Sequence, residues 1–373
     1  MDNTLKNTFQ IVSRSLNQKL TSTYDVLKID RISDVLPDIP IVSDAGFECH
    51  LGTSELRTDF LVAFNSRNLS KNSWLNYMQI LQQRRIGNYI WNSVAKFCDC
   101  WTDSKSTLYR NVDNIWLEFD LDRDELNSPE PSFFFAPKDI STDKIRHSMI
   151  DFEKHWIIDE ALPILLNKSL DKYMKKQIKI CFKSLPMEAT IFQIGVMLPR
   201  QVESDTVRLC VDNIPKSKIF KYIIDIGWQE RDNSIEKLFS EIFPLVDKIK
   251  LNFAVKDFIY PKLGFECYFD KQPKNSSKWK LFIKYLATKG LCTEEKAEAL
   301  ISWTGYTEAK NYSELWPESL AKASALVAPN FRSTIARTFH HIKIVYQPNR
   351  PLQAKAYLWF GHRWLSLNGT FQV

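Results

Sequence analysis

Five basic residues fall in strand-like stretches of this sequence and alternate with apolar neighbours: Arg57, Arg208, Lys250, Lys343 and Lys355. Because successive side chains of a strand point to opposite faces, these cations lie on the face away from their apolar neighbours. Arginine forms paired hydrogen bonds to two phosphate oxygens, and lysine supplies a localised positive charge. Several such cations around one volume therefore suit a diphosphate. One such cation alone is as often simply solvated, but recurrence on one face of several hairpins predicts a diphosphate site.

Aromatic residues share the polar face with the cations: Trp116, Tyr268, Tyr357 and Trp359. Their rings could shield a carbocation from water and stabilise it through their π faces, or could equally fill space. Glu48 and Glu118 lie on the same face. A carboxylate there could orient the N–H or O–H of an acceptor or take a proton from it, and a structural ion pair is the alternative.

The elements that must position these side chains arrive as five strand pairs, each followed by stretches with helical apolar spacing. The predicted pairs are 47–51 with 56–64, 114–121 with 132–136, 190–198 with 207–211, 248–255 with 263–269, and 340–346 with 353–360. The predicted helical stretches are 74 to about 97, 142 to about 185, a helix that begins at Pro215 and ends before Gly227, 234–246, 276–291 and 294–303.

Ten strands in five hairpins predict an α/β fold in which the sheet closes into an antiparallel barrel with helices outside. Closure removes the exposed edges of a large twisted sheet, and a ten-stranded barrel is wide enough for an internal chamber. An open sheet that exposes its polar face to water is the alternative. No linker-like segment interrupts the series, so we predict one domain over residues 1–373, with a helical arm over about residues 1–40.

Composition narrows the class of protein. The chain has 373 residues, 44% hydrophobic, and a formal charge of +6 that is spread along the sequence. This charge permits an anionic ligand, while no nucleic-acid recognition element is recognisable. The seven cysteines form no CxxC pair and fall mostly in apolar stretches, as reduced thiols do. No apolar run approaches the roughly 18 residues of a membrane span. We therefore expect a cytoplasmic protein with neither nucleic-acid nor membrane partners.

Several other motifs lead to no site. The acidic run Asp120 to Glu125 has the wrong spacing for a magnesium-diphosphate motif and is interpreted as a solvated turn. His340 and His341, with Cys98 and Cys100, match no zinc pattern, so no structural metal is predicted. Glycine-rich nucleotide loops and a nucleophile elbow are absent from the sequence.

The chain resembles the aromatic prenyltransferases of the ABBA type, whose barrel consists of five αββα units. The resemblance rests on this order of elements, on Lys355-Ala356-Tyr357, and on the first hairpin with Glu48 and Arg57. It implies that Glu48 positions an aromatic acceptor, that Arg57 and Lys355 bind diphosphate, and that Tyr357 shields the allyl cation.

Three positions depart from the family's Lys-x-Tyr pattern. Asn252 follows Lys250, Val345 follows Lys343, and Cys210 follows Arg208, each two places on. The predicted activity is prenyl transfer from an allylic diphosphate to an aromatic small molecule or to Tyr or Trp of a peptide. No cofactor is required in this hypothesis, although Mg²⁺ bound with the diphosphate is compatible with it. The alternative is a non-catalytic binding or maturation-partner protein that holds an anionic or peptide ligand in the same barrel. The sequence does not decide the oligomeric state.

Overall fold

Twelve strands form one antiparallel sheet among the residues that the structure describes. The computed structural model describes residues 4–36, 45–65, 88–121, 129–138, 155–200, 205–229, 234–270, 277–327, 330–366 and 371–372. The strands are β1 (Ala45–His50), β2 (Thr58–Asn65), β3 (Val112–Asp120), β4 (Ser132–Pro137), β5 (Thr190–Val196), β6 (Val207–Asp212), β7 (Lys248–Val255), β8 (Ile259–Tyr268), β9 (Gly305–Glu308), β10 (Phe331–Tyr346), β11 (Gln353–Ser366) and β12 (Phe371–Gln372).

The sheet closes on itself through β11, which pairs with β10 on one side and with β1 on the other. The ring runs β1 to β8 in chain order, then β10 and β11, and returns to β1. Ten antiparallel strands therefore form a barrel, and the predicted fold class is confirmed. Closure means that inward side chains of all ten strands face a common interior.

The last hairpin is longer than the predicted pair 340–346 with 353–360. Both of its strands continue past the barrel, where β9 pairs with β10 at Thr334–Arg337 and β12 pairs with β11 at Trp364–Leu365. Neither short strand was predicted. β9 and β12 show little alternation of apolar and polar residues, because they pair with the parts of β10 and β11 that extend beyond the barrel.

Helices cover the outside of the barrel. They are α1 (Leu5–Ser13), α2 (Thr23–Val35), α3 (Tyr89–Thr102), α4 (Thr107–Asn111), α5 (Leu162–Leu166), α6 (Lys172–Lys183), α7 (Lys216–Asp225), α8 (Ser234–Ile242), α9 (Ser277–Thr288), α10 (Glu294–Trp303) and α11 (Glu318–Val327). A π-helical turn, Ile157–Ala161, leads into α5, and two 3₁₀ turns span Phe243–Leu245 and Ala309–Asn311.

Caps and backbone conformation account for several helix boundaries within the described residues. The stretch predicted from residue 74 lies outside the described residues up to 87, and α3 begins after Asn88, whose side chain accepts from the N–H of Trp91. The stretch predicted from 142 is described from residue 155, and it breaks at Asn167, which has a left-handed φ of 51°. Pro215 is the N-cap of α7 instead of its first residue.

The outward face of the barrel packs against the helices as one hydrophobic core. The ring of Phe9 on α1 lies 6.4 Å from that of Phe47 on β1. On the far side, Trp279 of α9 lies 4.2 Å from Phe339 and 4.5 Å from Phe269. The apolar faces of the strands are thus used for packing, which leaves the polar faces for the interior.

In the parts of the chain that are described, no helix combines the length and the apolar character needed to cross a membrane.

Candidate active site

The interior of the barrel holds a cavity of about 130 Å³. Ten of the eleven predicted site residues line it: Glu48, Glu118, Arg208, Lys250, Lys343, Lys355, Trp116, Tyr268, Tyr357 and Trp359. A second cavity of about 380 Å³ lies at the β10–β11 turn and shares Lys262 and Val345 with the first. The alternation of side chains along the strands therefore brought these ten residues to one volume, while their roles stay predictions.

Arg57 is the exception, and its expected inward position is wrong. It is exposed and lies in the connection before β2, which begins only at Thr58. Its backbone carbonyl accepts from the N–H of His50, so it belongs to the β1–β2 turn. Strand alternation does not apply to a residue outside the strand.

Sheet register aligns the polar residues in rows across the closing strands. Lys355 of β11 lies opposite His50 of β1 on one side and Lys343 of β10 on the other. Lys343 in turn lies opposite Glu266 of β8, which lies opposite Lys250 of β7. This row carries three lysines and one carboxylate, so it holds net positive charge against the cavity.

The lysines of this row differ in how they are paired. Lys250 Nζ lies 3.3 Å from a carboxylate oxygen of Asp212, and 3.8 Å from the ring centroid of Phe192. Lys355 donates to Glu48. Lys343 is 9% exposed and forms neither a hydrogen bond nor an ion pair with any of the described residues. Its ammonium is the cation of the row that is left for a ligand.

Glu48 is held at both carboxylate oxygens. Lys355 Nζ donates to Oε1 and the hydroxyl of Tyr357 donates to Oε2, across the pairing that closes the barrel. Burial favours a raised pKa for Glu48, but the Lys355 and Lys343 charges outweigh it and hold the pKa well below its usual range. Glu48 is therefore a strongly ionised, hydrogen-bonded carboxylate and a weak base.

Three further carboxylates lie near Glu48 on β2 and β3: Asp59, Glu118 and Asp120. Arg200 forms ion pairs with the last two. Arg200 donates from Nη2 to Glu118 at 3.0 Å and from Nε to Asp120 at 2.8 Å. Asp59, which is 1% exposed, lies opposite both Glu48 and Asp120 in the sheet register. Burial and the Glu48 charge raise the pKa of both Asp59 and Glu118.

These carboxylates are close enough to bind a cation. One oxygen each of Asp59, Glu118 and Asp120 lie within 4.8 Å of one another, and Glu48, His50 and Asp59 form a second such group. Arg200 and Lys355 already supply positive charge to the two groups. The expectation of no structural metal stays a prediction.

Three rings form a stack against the cavity. The His341 ring lies 4.0 Å from that of Tyr357 at an interplanar angle of 15°, and 4.9 Å from that of Tyr268 at 26°. Trp359 meets His340 edge to face at 5.4 Å. An aromatic wall of this kind can bind a cation through its π faces.

Sequence reasoning missed several further residues that line the cavity, among them Arg200, Phe192 and His340. Arg200 follows β5 in a connection, where no periodicity predicts direction. Phe192 and His340 lie at β-bulges, where the register shifts by one residue. A bulge breaks strict alternation, so no sequence pattern signalled these positions.

A scan against protein-family models finds no match, and a search of curated proteins finds none either. Solved structures do match. The prenyltransferase PriB bound to product diphosphate has a TM-score of 0.52 at 10% identity, with 95% of this chain and 94% of that chain covered. The apo form of PriB has a TM-score of 0.51 at 10% identity with the same coverage.

This chain has the ABBA barrel fold. AnaPT from Neosartorya fischeri, at 11% identity, gives a TM-score of 0.48 over 100% of this chain and 94% of that chain. In this ABBA barrel, Lys355 and Tyr357 of the Lys-x-Tyr element both reach Glu48. Asn252 and Val345, where a tyrosine was expected from the resemblance, line the cavity without a ring.

Proposed function

We propose that this protein transfers a prenyl group from an allylic diphosphate to an aromatic acceptor inside the barrel. The observation that carries the proposal is the convergence of four of the predicted cations and an aromatic wall on one cavity of an ABBA barrel. The likeness of fold to prenyltransferases supports it. PriB binds diphosphate in one of these structures, and diphosphate is the leaving group of the proposed reaction.

The donor's diphosphate would bind at the Lys343 row. Lys343 is buried and forms no pair with a described residue, and Lys250 and Arg208 line the same cavity. Cations in a water-poor site stabilise the charge that develops on a departing diphosphate. Their attraction weakens the bond between prenyl carbon and oxygen, because it favours the ionised products over the intact ester.

The allyl cation would form against the stacked rings. Tyr357, Tyr268 and Trp359 line the cavity next to the cations, and Trp116 lines it from β3. Ring faces attract a cation and exclude the water that would otherwise trap it as an alcohol. The positive charge of the carbocation is thus held until the acceptor attacks.

Glu48 would orient the acceptor. In the structure both of its oxygens are engaged, and one of the donors is Lys355. A diphosphate near Lys355 would compete for that ammonium and release Oε1 to accept from an acceptor N–H or O–H. This order places donor binding before acceptor binding. The cavity volume of about 130 Å³ is smaller than the roughly 300 to 1,000 Å³ typical of ligand sites. Side chains on the cavity wall must therefore move when donor and acceptor bind.

No obligatory metal is part of the proposal, since the lysines and Arg208 supply the charge that a metal would otherwise supply. Residues that would face a diphosphate-bound Mg²⁺ are the carboxylates Glu48 and Glu266 on the cavity wall. Turnover compared with Mg²⁺ and with a chelator distinguishes the two cases.

A binding or maturation-partner protein is the second candidate. It is favoured by the small cavity and by Asn252, whose amide lies 2.6 Å from the Cys210 sulfur in place of a shielding ring. An incomplete shield would admit water to the carbocation. Such a protein would bind a diphosphate or peptide without converting it.

The test is incubation with dimethylallyl or geranyl diphosphate and a panel of indoles, phenols and Trp- or Tyr-containing peptides, with mass detection. We expect one acceptor class to gain one prenyl group while diphosphate is released. Lys343→Met is assayed beside the wild type, because it removes the ammonium that is proposed to bind the donor. Tight binding of donor with neither release of diphosphate nor prenylated product would contradict the enzyme and favour the binding protein.

A further inference from the structure

A β-bulge in β10 brings two consecutive histidines to the cavity. Phe339 lies opposite Leu358 and His341 lies opposite Tyr357, so His340 has no partner position on β11. Phe339 packs outward against Trp279 at 4.2 Å. Both His340 and His341 line the cavity. A regular strand would have sent one of the two outward, and the bulge re-aims it.

The two imidazoles are joined by their Nδ1 atoms, which lie 2.8 Å apart. One of these atoms must carry hydrogen and the other must accept it. The other nitrogen of His341, Nε2, is buried and has no hydrogen-bond partner among the described residues. Glu266 Oε2 lies 3.8 Å from this nitrogen, which is beyond hydrogen-bond distance. A buried nitrogen without a partner is costly unless a ligand uses it.

The ring of His341 is also fixed in orientation. Tyr357 and Tyr268 sandwich it at 4.0 and 4.9 Å, and His340 holds one edge. Nε2 is therefore the one unsatisfied atom of a rigid imidazole on the cavity wall. Rigid placement of this kind is what a proton-transfer group requires.

The proposed reaction releases a proton that some group must take. When an aromatic carbon attacks the allyl cation, the ring carbon keeps its hydrogen until a base removes it. Glu48 is poorly suited, because Tyr357 occupies one of its oxygens and the other, once donor binding frees it from Lys355, accepts from the acceptor's N–H or O–H. Glu118 accepts from Arg200, and Glu266 accepts from Tyr268 at 3.0 Å.

We infer that His341 Nε2 is the proton acceptor that completes prenyl transfer, with His340 holding the tautomer that leaves its lone pair facing the acceptor. This inference rests on the proposed function and adds a residue role to it.

The step balances as follows. The bond from prenyl C1 to the diphosphate oxygen breaks, and its electron pair leaves with the diphosphate. The acceptor carbon forms the new bond to C1 with a π pair of its ring. The C–H pair then returns to the ring as the proton passes to His341 Nε2. His341 Nδ1–H donates to His340 Nδ1 throughout, so the imidazolium that forms keeps a hydrogen bond.

Burial and the surrounding charges keep His341 unprotonated, and a weak base is sufficient here because the ring carbon that has bonded to C1 is strongly acidic. Burial lowers its pKa well below the usual range, and the neighbouring His340, Lys343 and Lys250 lower it further. Burial and Lys250 likewise lower the pKa of His340 to about 3. The other groups beside this ring are Glu266 and Tyr268 on β8 and Tyr357 on β11, and Glu48 on β1 lines the same cavity. The Glu266 carboxylate at 3.8 Å stabilises the imidazolium once it forms.

The test separates ionisation of the donor from removal of the proton. His341→Phe keeps an aromatic ring between the two tyrosines, and His341→Ala leaves space for added imidazole. Each is assayed for hydrolysis of dimethylallyl diphosphate without acceptor, for transfer to the best acceptor, and for the isotope effect of a ring-deuterated acceptor. His362→Phe is the matched control, because that histidine bonds Ser333 at 2.9 Å and does not line the cavity.

We expect transfer to fall by about 10²-fold to 10⁴-fold in both His341 variants, the range for a lost general base, and His341→Phe, which keeps the ring of the stack, to lose far less donor hydrolysis than transfer. A primary isotope effect should appear in the variants and be absent from the wild type, and imidazole should restore transfer in His341→Ala. Wild-type transfer rates in either variant, or a loss of hydrolysis in His341→Phe as large as its loss of transfer, overturn the assignment. Failure of the wild-type protein to ionise any donor would instead refute the proposed function.

Discussion

The sharpest test of the donor site compares two lysines that lie directly opposite each other. Lys343 and Lys355 are register partners on β10 and β11, yet within the described part of the chain only Lys355 of the two forms an ion pair, with Glu48. Lys343→Met removes the ammonium and keeps an unbranched chain of similar length. The Lys343 side chain passes over Gly264, where an added Cβ would lie 2.6 Å from Lys343 Cε, so a flexible thioether fits the same channel.

The two substitutions should differ in both stability and donor affinity. Lys343 has no paired carboxylate among the described residues, so Lys343→Met should leave the free energy of unfolding unchanged or raised. Hydrogen bonds to charged groups contribute roughly 1.5 to 3 kcal/mol, so its donor affinity should fall roughly tenfold to a hundredfold. Lys355→Met leaves the buried Glu48 without its cation, and on the order of 3 kcal/mol of stability should be lost.

Urea unfolding gives the stabilities, and calorimetry with dimethylallyl thiolodiphosphate, which resists ionisation, gives the affinities. Arg57→Ala is the control, because Arg57 is exposed outside the cavity and should bind donor as the wild type does. Undiminished affinity in Lys343→Met would refute the donor site. Loss of stability in Lys343→Met equal to that in Lys355→Met would refute the distinction between a paired and an unpaired lysine.

Three further predictions follow from the same geometry. Glu48→Gln should keep donor hydrolysis but lower kcat/KM for the acceptor roughly tenfold to a hundredfold, since a charged hydrogen bond is lost; unchanged acceptor kinetics would remove its orienting role. The raised pKa of Asp59 means that it binds its proton more tightly in the folded state, so its contribution to stability is complete below the unfolded pKa and falls as pH rises toward the folded pKa. Asp59→Asn should therefore gain stability relative to wild type with rising pH, by up to about 1.4 kcal/mol per pH unit, and a pH-independent difference in urea unfolding would contradict this. Gly195→Ala should destabilise the barrel, because its Cβ would lie 2.1 Å from the Phe134 ring; an unchanged melting temperature would show that the ring yields freely.

The proposed competition for Lys355 has a kinetic consequence. Lys355 donates to Glu48 in the structure, and the proposed diphosphate would take the same ammonium. Acceptor affinity should therefore depend on bound donor, as positive coupling between two sites of one chamber. Titration of acceptor in the presence and absence of the thiolodiphosphate measures that coupling directly.

The alternation of polar and apolar residues by itself determined which face of each strand looks inward. It follows from the two-residue period of a strand, which is a local property, and it placed ten predicted residues on the cavity. The five hairpins also predicted closure with an open sheet as the alternative, and the pairing of β11 with β1 decided between the two. The roles of those residues stay predictions.

Only the tertiary structure decided which charges meet. Lys355 and Tyr357 reach Glu48 across 307 and 309 residues of sequence, and their contact exists only because β11 pairs with β1 to close the ring. The fold also decided that Arg57 lies outside, since β2 begins one residue later. The two-residue period of a strand likewise could not predict the bulge at His340. It also could not predict that Arg200, which lies in a connection between strands, contacts Glu118. Pairing, bulges and loop direction depend on long-range packing, and no local pattern of residues carries that information.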